Sequence, residues 1–309
     1  MSDPALTETS ARPAPPLSAP ETAPVGLWMS IGVLVAAFGL SLYELVGLSL
    51  ANSLYSHLPL IPAVSAYLIW MQRGSLPARS EPNRPLAYGL LGAGAAIIAS
   101  YLIAQQGDRP LLREDALAWQ MYGFILLLSG LCAWFLGRKL LRALVFPLGF
   151  LVFMAPFPVA LHDALERFLQ HGSADAAYAM ISGAGTPILR EDLIFHLPGI
   201  VLEVAPQCSG IRSSVALFIT SIVAGYFFLH SPWKRTVLAV AVIPLAILRN
   251  GLRIFTLAQL CVHLGPEWIN SFIHHRGGPI FFAISLVPFF LLLYLLYRSD
   301  RAKSRPVRA

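Results

Sequence analysis

The feature that most limits what this chain can fold into is a series of about eight apolar runs, each long enough to cross a bilayer as a helix. They fall at roughly 25–50, 56–71, 86–105, 118–136, 142–160, 209–229, 236–256 and 279–297. In hydrocarbon every backbone N–H and C=O needs an internal partner, which leaves helices or a closed barrel. Runs of this length select helices. The reading is an all-α, polytopic helical bundle with about eight transmembrane helices. Charged residues make up 12% of the 309 positions, half the share usual in soluble domains. A net charge of +6 does not indicate nucleic acid, because the basic residues sit at the ends of apolar runs and read as topology signals. The second run is interrupted by Pro62.

Three regions follow. Residues 1–24, rich in Pro, Ala, Ser and Thr, read as a disordered cytoplasmic tail and carry no signal-peptide pattern. Residues 25–297 form the membrane domain. Residues 298–309 form a basic cytoplasmic tail. Arg73, Arg79 and Arg84 follow the second run; Arg138, Lys139 and Arg142 the fourth; Lys234 and Arg235 the sixth; Arg298, Arg301, Lys303, Arg305 and Arg308 the eighth. With eight crossings these loops share one side, predicted cytoplasmic.

The opposite side receives one long connection, 161–208. Leu161–Met180 shows helical spacing of apolar residues (Leu161, Leu165, Phe168; Ala176, Ala179, Met180) and is expected along the membrane surface. Thr186–Ala205, with a Pro198-Gly199 turn, reads as a short outward-facing hairpin before the Cys-bearing helix.

Polar chemistry concentrates at three helix ends on that side. Cys208 follows Pro206 and is expected in the first turn of the sixth helix, where free N–H groups and Arg212 favour a thiolate. Arg249 and Arg253 lie one turn apart on the seventh, beside Asn250. His274 and His275 precede the eighth. Each alone has a plainer reading: a packed thiol, arginines snorkelling to the interface, solvated loop histidines. Together a thiol, a cation and a base are what cysteine acyl transfer needs. Cys132, Cys208 and Cys261 have neither metal-type spacing nor the number for a disulfide framework.

Cys208-Ser209-Gly210-Ile211, Asn250-Gly251-Leu252-Arg253 and His274-His275-Arg276-Gly277-Gly278 stand in the order of three motifs, so that about 120–297 resembles the exosortase/archaeosortase family of membrane cysteine transpeptidases. The resemblance implies an inner (plasma) membrane enzyme with its active site facing the periplasm or exterior. Such an enzyme cleaves the C-terminal sorting signal of secreted proteins, each tail carrying a signal, a hydrophobic helix and a basic end. It works through a thioacyl-enzyme and hands the protein to an unknown surface acceptor. It implies Cys208 as nucleophile, Arg253 as oxyanion or thiolate partner and His274 as base, with His275, Arg249, Arg212, Ser209 and Asn250 as supporting candidates. The doubled His leaves His274 and His275 both open as the base. Glu203 is a further guess as an orienting residue. No cofactor or metal is expected. Two other classes stay open: a transporter or channel lined by Glu44, Arg249 and Arg253, and a metal hydrolase using His263, His274 and His275.

Overall fold

The computed structural model describes residues 24–78, 80–107, 110–206, 209–270 and 277–303. Except for Pro24, the expected N-terminal tail lies outside them, as do Cys208, His274 and His275. The helices are α1 (Val25–Ala37), α2 (Gly39–Ala51), α3 (Leu60–Gln72), α4 (Arg84–Gln105), α5 (Arg113–Phe150), α6 (Val159–Gly183), α7 (Ile211–Phe228), α8 (Pro232–Val240), α9 (Val242–Leu264) and α10 (Gly278–Lys303). Three short strands, β1 (Leu189–Glu191), β2 (Ile194–Leu197) and β3 (Ile200–Glu203), lie between α6 and α7. Leu50 (83% exposed), Val25 (74%) and Val287 (70%) open apolar faces outward, as helices bathed in lipid do.

Among the described residues six helical stretches are long and apolar enough to cross a membrane, or seven if the bent pair α1–α2 counts as one. The first expected run is that pair, bent by 62° at Phe38–Gly39, where glycine weakens the helix. Pro62 does not interrupt the second. It sits in the first turn of α3, where a missing N–H costs little. The fourth and fifth runs share one stretch, Arg113–Met154. A straight helix of the 38 residues of α5 would be about 57 Å long. Yet the Val159 N–H, beyond its far end, donates to Asp115 Oδ1 in its first turn at 2.8 Å. The chain therefore doubles back, and it does so at Gly137 (φ 76°, ψ 174°). Only glycine adopts this conformation readily, and a Cβ there would collide with the carbonyl oxygen and side chain of Ser80. Lys139 N also donates to Ser80 Oγ at 3.1 Å. The Arg73–Arg84 connection thus meets the Arg138–Arg142 turn.

Ring pairs then set the sense of α7. Phe146 stacks on Tyr226 with centroids 3.7 Å apart, and Phe153 meets Phe218 edge-on at 6.0 Å. Residue numbers rise in opposite directions, so α7 runs antiparallel to the second half of α5. Lys234 and Arg235 consequently share the end that holds Arg138 and Lys139. There Lys234 Nζ pairs with Asp300 at 3.0 Å, and the His230 N–H donates to the same carboxylate at 2.6 Å. This joins the α7–α8 turn to the end of α10, which continues as helix through Lys303 into the expected tail.

The structure adds a protein partner to the expectation for α6. Its stripe of Leu161, Phe168 and Ala179 is exposed; the buried face is Leu169, Gln170, Ser173, Ala174, Ala177 and Ile181. That face packs along α9 in the same sense: Gly172 against Ile247, Ala176–Ala177 against Gly251, Thr186 bonded to Gln259. Small residues allow this close approach, so α6 pairs with α9 through one face and leaves its apolar stripe of Leu161 and Phe168 outward. The hairpin is present with one strand more than expected. β2 and β3 pair antiparallel through the turn Leu197-Pro198-Gly199-Ile200, with Gly199 at φ 80° as a type II turn requires. β1 adds along β2. Phe195, Leu197 and Leu202 bury this sheet against α6 and α9.

Gly137→Ala tests the fold-back. The left-handed strain alone is worth about 1–3 kcal/mol, and the collision adds to it. A clear drop in thermal stability in detergent is expected, with Gly149→Ala, whose Cβ meets nothing within 4 Å, as the tolerated control.

Candidate functional site

The described parts of the three motifs meet at one cleft of about 920 Å³, at the end of the bundle away from Arg138 and Lys234. Its central wall is the turn before α7. β3 delivers Val204, whose carbonyl accepts from the buried Gln170 Nε2 at 2.5 Å. Pro206 starts a turn closed by Ser209 N donating to Pro206 O at 3.0 Å. Gly210 ends it in the left-handed region (φ 73°, ψ 13°), and α7 begins at Ile211. The helix thus starts three residues after position 208. The expectation that Cys208 lies in its first turn falls on residues outside those described.

Gly210 is required for a second reason. A Cβ would stand 2.9 Å from Arg249 Nη2 and 3.3 Å from Asn250. The Gly210 carbonyl is the most heavily bonded acceptor here: Ser214 N (3.1 Å), Ser214 Oγ (2.8 Å), Ser213 Oγ (3.1 Å) and Arg249 Nη2 (3.1 Å) all donate to it. Arg249 is only 7% exposed, and its Nη1 has no hydrogen-bond partner among the described residues. Snorkelling does not describe such a side chain. It is a buried cation held behind the turn, beside the buried Asn250. One turn on, Arg253 reaches the cleft itself. The seventh run does not end at these arginines, as the apolar window implied; α9 continues to Leu264.

Of the sequence-derived candidates, Ser209, Arg212 and Arg253 line the cleft, and Arg249 and Asn250 back it. Gly278 and Pro279, just after the histidine segment, close one side. Cys208, His274 and His275 lie outside the described residues. Glu203 is exposed at the end of β3, opposite Ile194, and does not line the cleft. Nor does Glu44 line it. His263 is exposed near the end of α9.

Two walls were missed by sequence reasoning. Asn52, Ser53 and Ser56, between α2 and α3, give one; His162 and Glu166 on α6 give the other. Their i, i+4 spacing puts the latter two on one helix face, a signal present in the sequence. Ligand atoms of His162, Asp163 and Glu166 lie within 4.8 Å of one another. Among the described residues this is the one group able to hold a metal ion; His263 is not in it, and His274 and His275 lie outside those residues.

Gly210→Ala is expected to cost about 1–2 kcal/mol in left-handed strain and to displace Arg249. Melting in detergent should fall, and any activity of the cleft should fall further than stability does. Equal stability with full activity would mean that the turn tolerates displacement.

No curated protein and no solved structure matches this sequence. A family does: the one described as Transmembrane exosortase (Exosortase_EpsH) matches residues 49–291, a region containing all three motifs and every wall of the cleft. The chain belongs to the transmembrane exosortase family.

Proposed function

We propose that this chain is a cysteine transpeptidase that cuts the C-terminal sorting signal of secreted proteins and passes the upstream part to an acceptor. The family supports a sorting role. The observation that carries the chemistry is that the residues flanking Cys208, the guanidinium of Arg253, and the residues following His274-His275 border one cleft.

In this reading a histidine, His274 by the motif spacing, takes the thiol proton of Cys208. The thiolate attacks the carbonyl at the signal, and charge builds on the carbonyl oxygen. Arg253 supplies fixed donors for that oxygen. The leaving amine takes the proton back as the C–N bond breaks, giving a thioester on Cys208. Ser209 and Gly210 shape the turn that carries the thiol. Arg249 and Asn250 brace it from behind, and Arg212 adds positive charge at the rim. The substrate's apolar helix and basic tail then match a bundle in lipid whose basic loops lie at the far end. We place the cleft on the periplasmic or outer side of the inner (plasma) membrane, because Arg73, Arg138 and Lys234 gather at the opposite end.

Processing of a tailed substrate in membranes tests the nucleophile and its partners. Cys208→Ala is expected to abolish it with normal accumulation of the enzyme, whereas Cys132→Ala and Cys261→Ala, at buried free thiols, process normally. Arg253→Lys keeps the charge but loses the planar fork, and a loss of roughly 2.7–4 kcal/mol in barrier is the scale for a missing oxyanion donor. Near-full activity of Arg253→Lys would argue against that role. His274→Ala should remove most activity and His275→Ala much less; the reverse moves the base by one residue.

Sidedness is tested separately. Reporters inserted at Gly185, in the turn after α6, and fused at residue 305 should report opposite sides. The same side for both would reject this orientation.

A further inference from the structure

Acyl transfer through a thioester needs protons removed at two stages, from the thiol and then from the acceptor, and the cleft carries a second candidate base for the latter. His162 lies on the wall formed by α6. Its Nδ1 is 3.0 Å from Asp163 Oδ1, the ring 22% exposed and the carboxylate 49%. With the carboxylate ionised and the ring neutral, the carboxylate can only accept, which puts the hydrogen on Nδ1 and the lone pair on Nε2. Glu166, one turn further on the same face, lines the cleft beside it. The start of this helix is tied down by the bond from Val159 N to Asp115. A base oriented by a carboxylate is the arrangement that nucleophile activation calls for. The lining residues differ in charge by element: Arg212 on α7 and Arg253 on α9 are cationic, whereas α6 contributes His162 and Glu166.

The geometry points to His162, oriented by Asp163, as the base that deprotonates the acceptor in the second half-reaction, with Glu166 drawing in that acceptor as an ammonium group. The acceptor class is a primary amine. This rests on the cysteine transpeptidase reading above. In the step, His162 Nε2 takes a proton from the amine. The nitrogen attacks the thioester carbonyl, forming a C–N bond, and the C–S bond breaks to return the Cys208 thiolate. The proton on His162 leaves for solvent, and the attacking nitrogen, which enters as an ammonium group and ends as an amide N–H, gives its second proton to the Cys208 thiolate.

Purified full-length enzyme in detergent, mixed with a tailed substrate, separates the halves. Release of the tail reports acylation, and intact mass reports the adduct on Cys208. Glycinamide serves as the amine acceptor. Hydroxylamine serves as a nucleophile that is unprotonated at neutral pH and needs no base. For His162→Gln we expect tail release in the first turnover within about twofold of wild type, an adduct that accumulates, and glycinamide transfer lowered by roughly 10²-fold, the low end of what a general base contributes. Hydroxylamine should discharge that adduct as fast as it does in wild type. Asp163→Asn, which leaves the ring in place, should show the same pattern more weakly, and Glu166→Gln should raise the glycinamide concentration needed for half-maximal transfer.

Adduct formation and normal glycinamide transfer in His162→Gln would overturn this role alone. So would loss of tail release in both His162→Gln and Asp163→Asn, which would put the pair in the first step. Wild-type transfer that stops with a chelator and returns with zinc would make the trio a metal site instead. Tail release by wild type with no adduct at Cys208 would overturn the parent reading and this one together.

Discussion

The site depends on one buried cation. Arg249 sits inside an apolar bundle and donates Nη2 to the carbonyl of Gly210 and, at 3.3 Å, to Ser214 Oγ. Burying a guanidinium in a membrane protein costs roughly 2.5–3.5 kcal/mol even on lenient scales, so such a residue persists where it organises something. Here it holds the last residue of a turn whose backbone only glycine enters easily. The turn is fixed from both ends, by Gln170 on Val204 upstream and by Arg249 on Gly210 downstream. Gly210, the downstream anchor, is itself the glycine of the Cys-Ser-Gly motif.

The rest of the architecture brings partners to that turn. The parallel packing of α6 on α9, allowed by Gly172, Ala177 and Gly251, sets His162 and Glu166 on one wall and Arg253 on another. The fold-back at Gly137 brings Asp115 to the start of α6. The sheet packs on the α6–α9 pair through Phe195 and Leu202, so the strand that leads into the motif starts from a rigid platform. Rigid support of this kind is what keeps a reacting group within reach of its partners.

Much of this was legible in the sequence. Apolar runs gave the helices because lipid leaves the backbone few alternatives, and the basic loops gathered at one end as their spacing implied. Arg253 and Ser209 were found because a charge and a thiol motif, each with a plainer reading alone, fall at helix ends on one expected side and in the order of three family motifs. What was not legible came from tertiary contact. The face of α6 that packs on α9 was not seen, since Gly172 and Ala174 carry little hydropathy and reveal themselves only against α9. Strand β1 is three residues long and leaves no alternation to read. His162 and Asn52 were passed over because their walls are far apart in the chain, and nothing local says that they face the same space.

The central claim is a covalent one, and intact mass spectrometry tests it most directly. Wild-type enzyme incubated with a tailed substrate and quenched in acid should carry an adduct equal to the substrate portion upstream of the cut. That adduct should map to the peptide containing Cys208 and vanish with hydroxylamine. Cleaved substrate from an active enzyme that never carries mass on Cys208 would contradict the account.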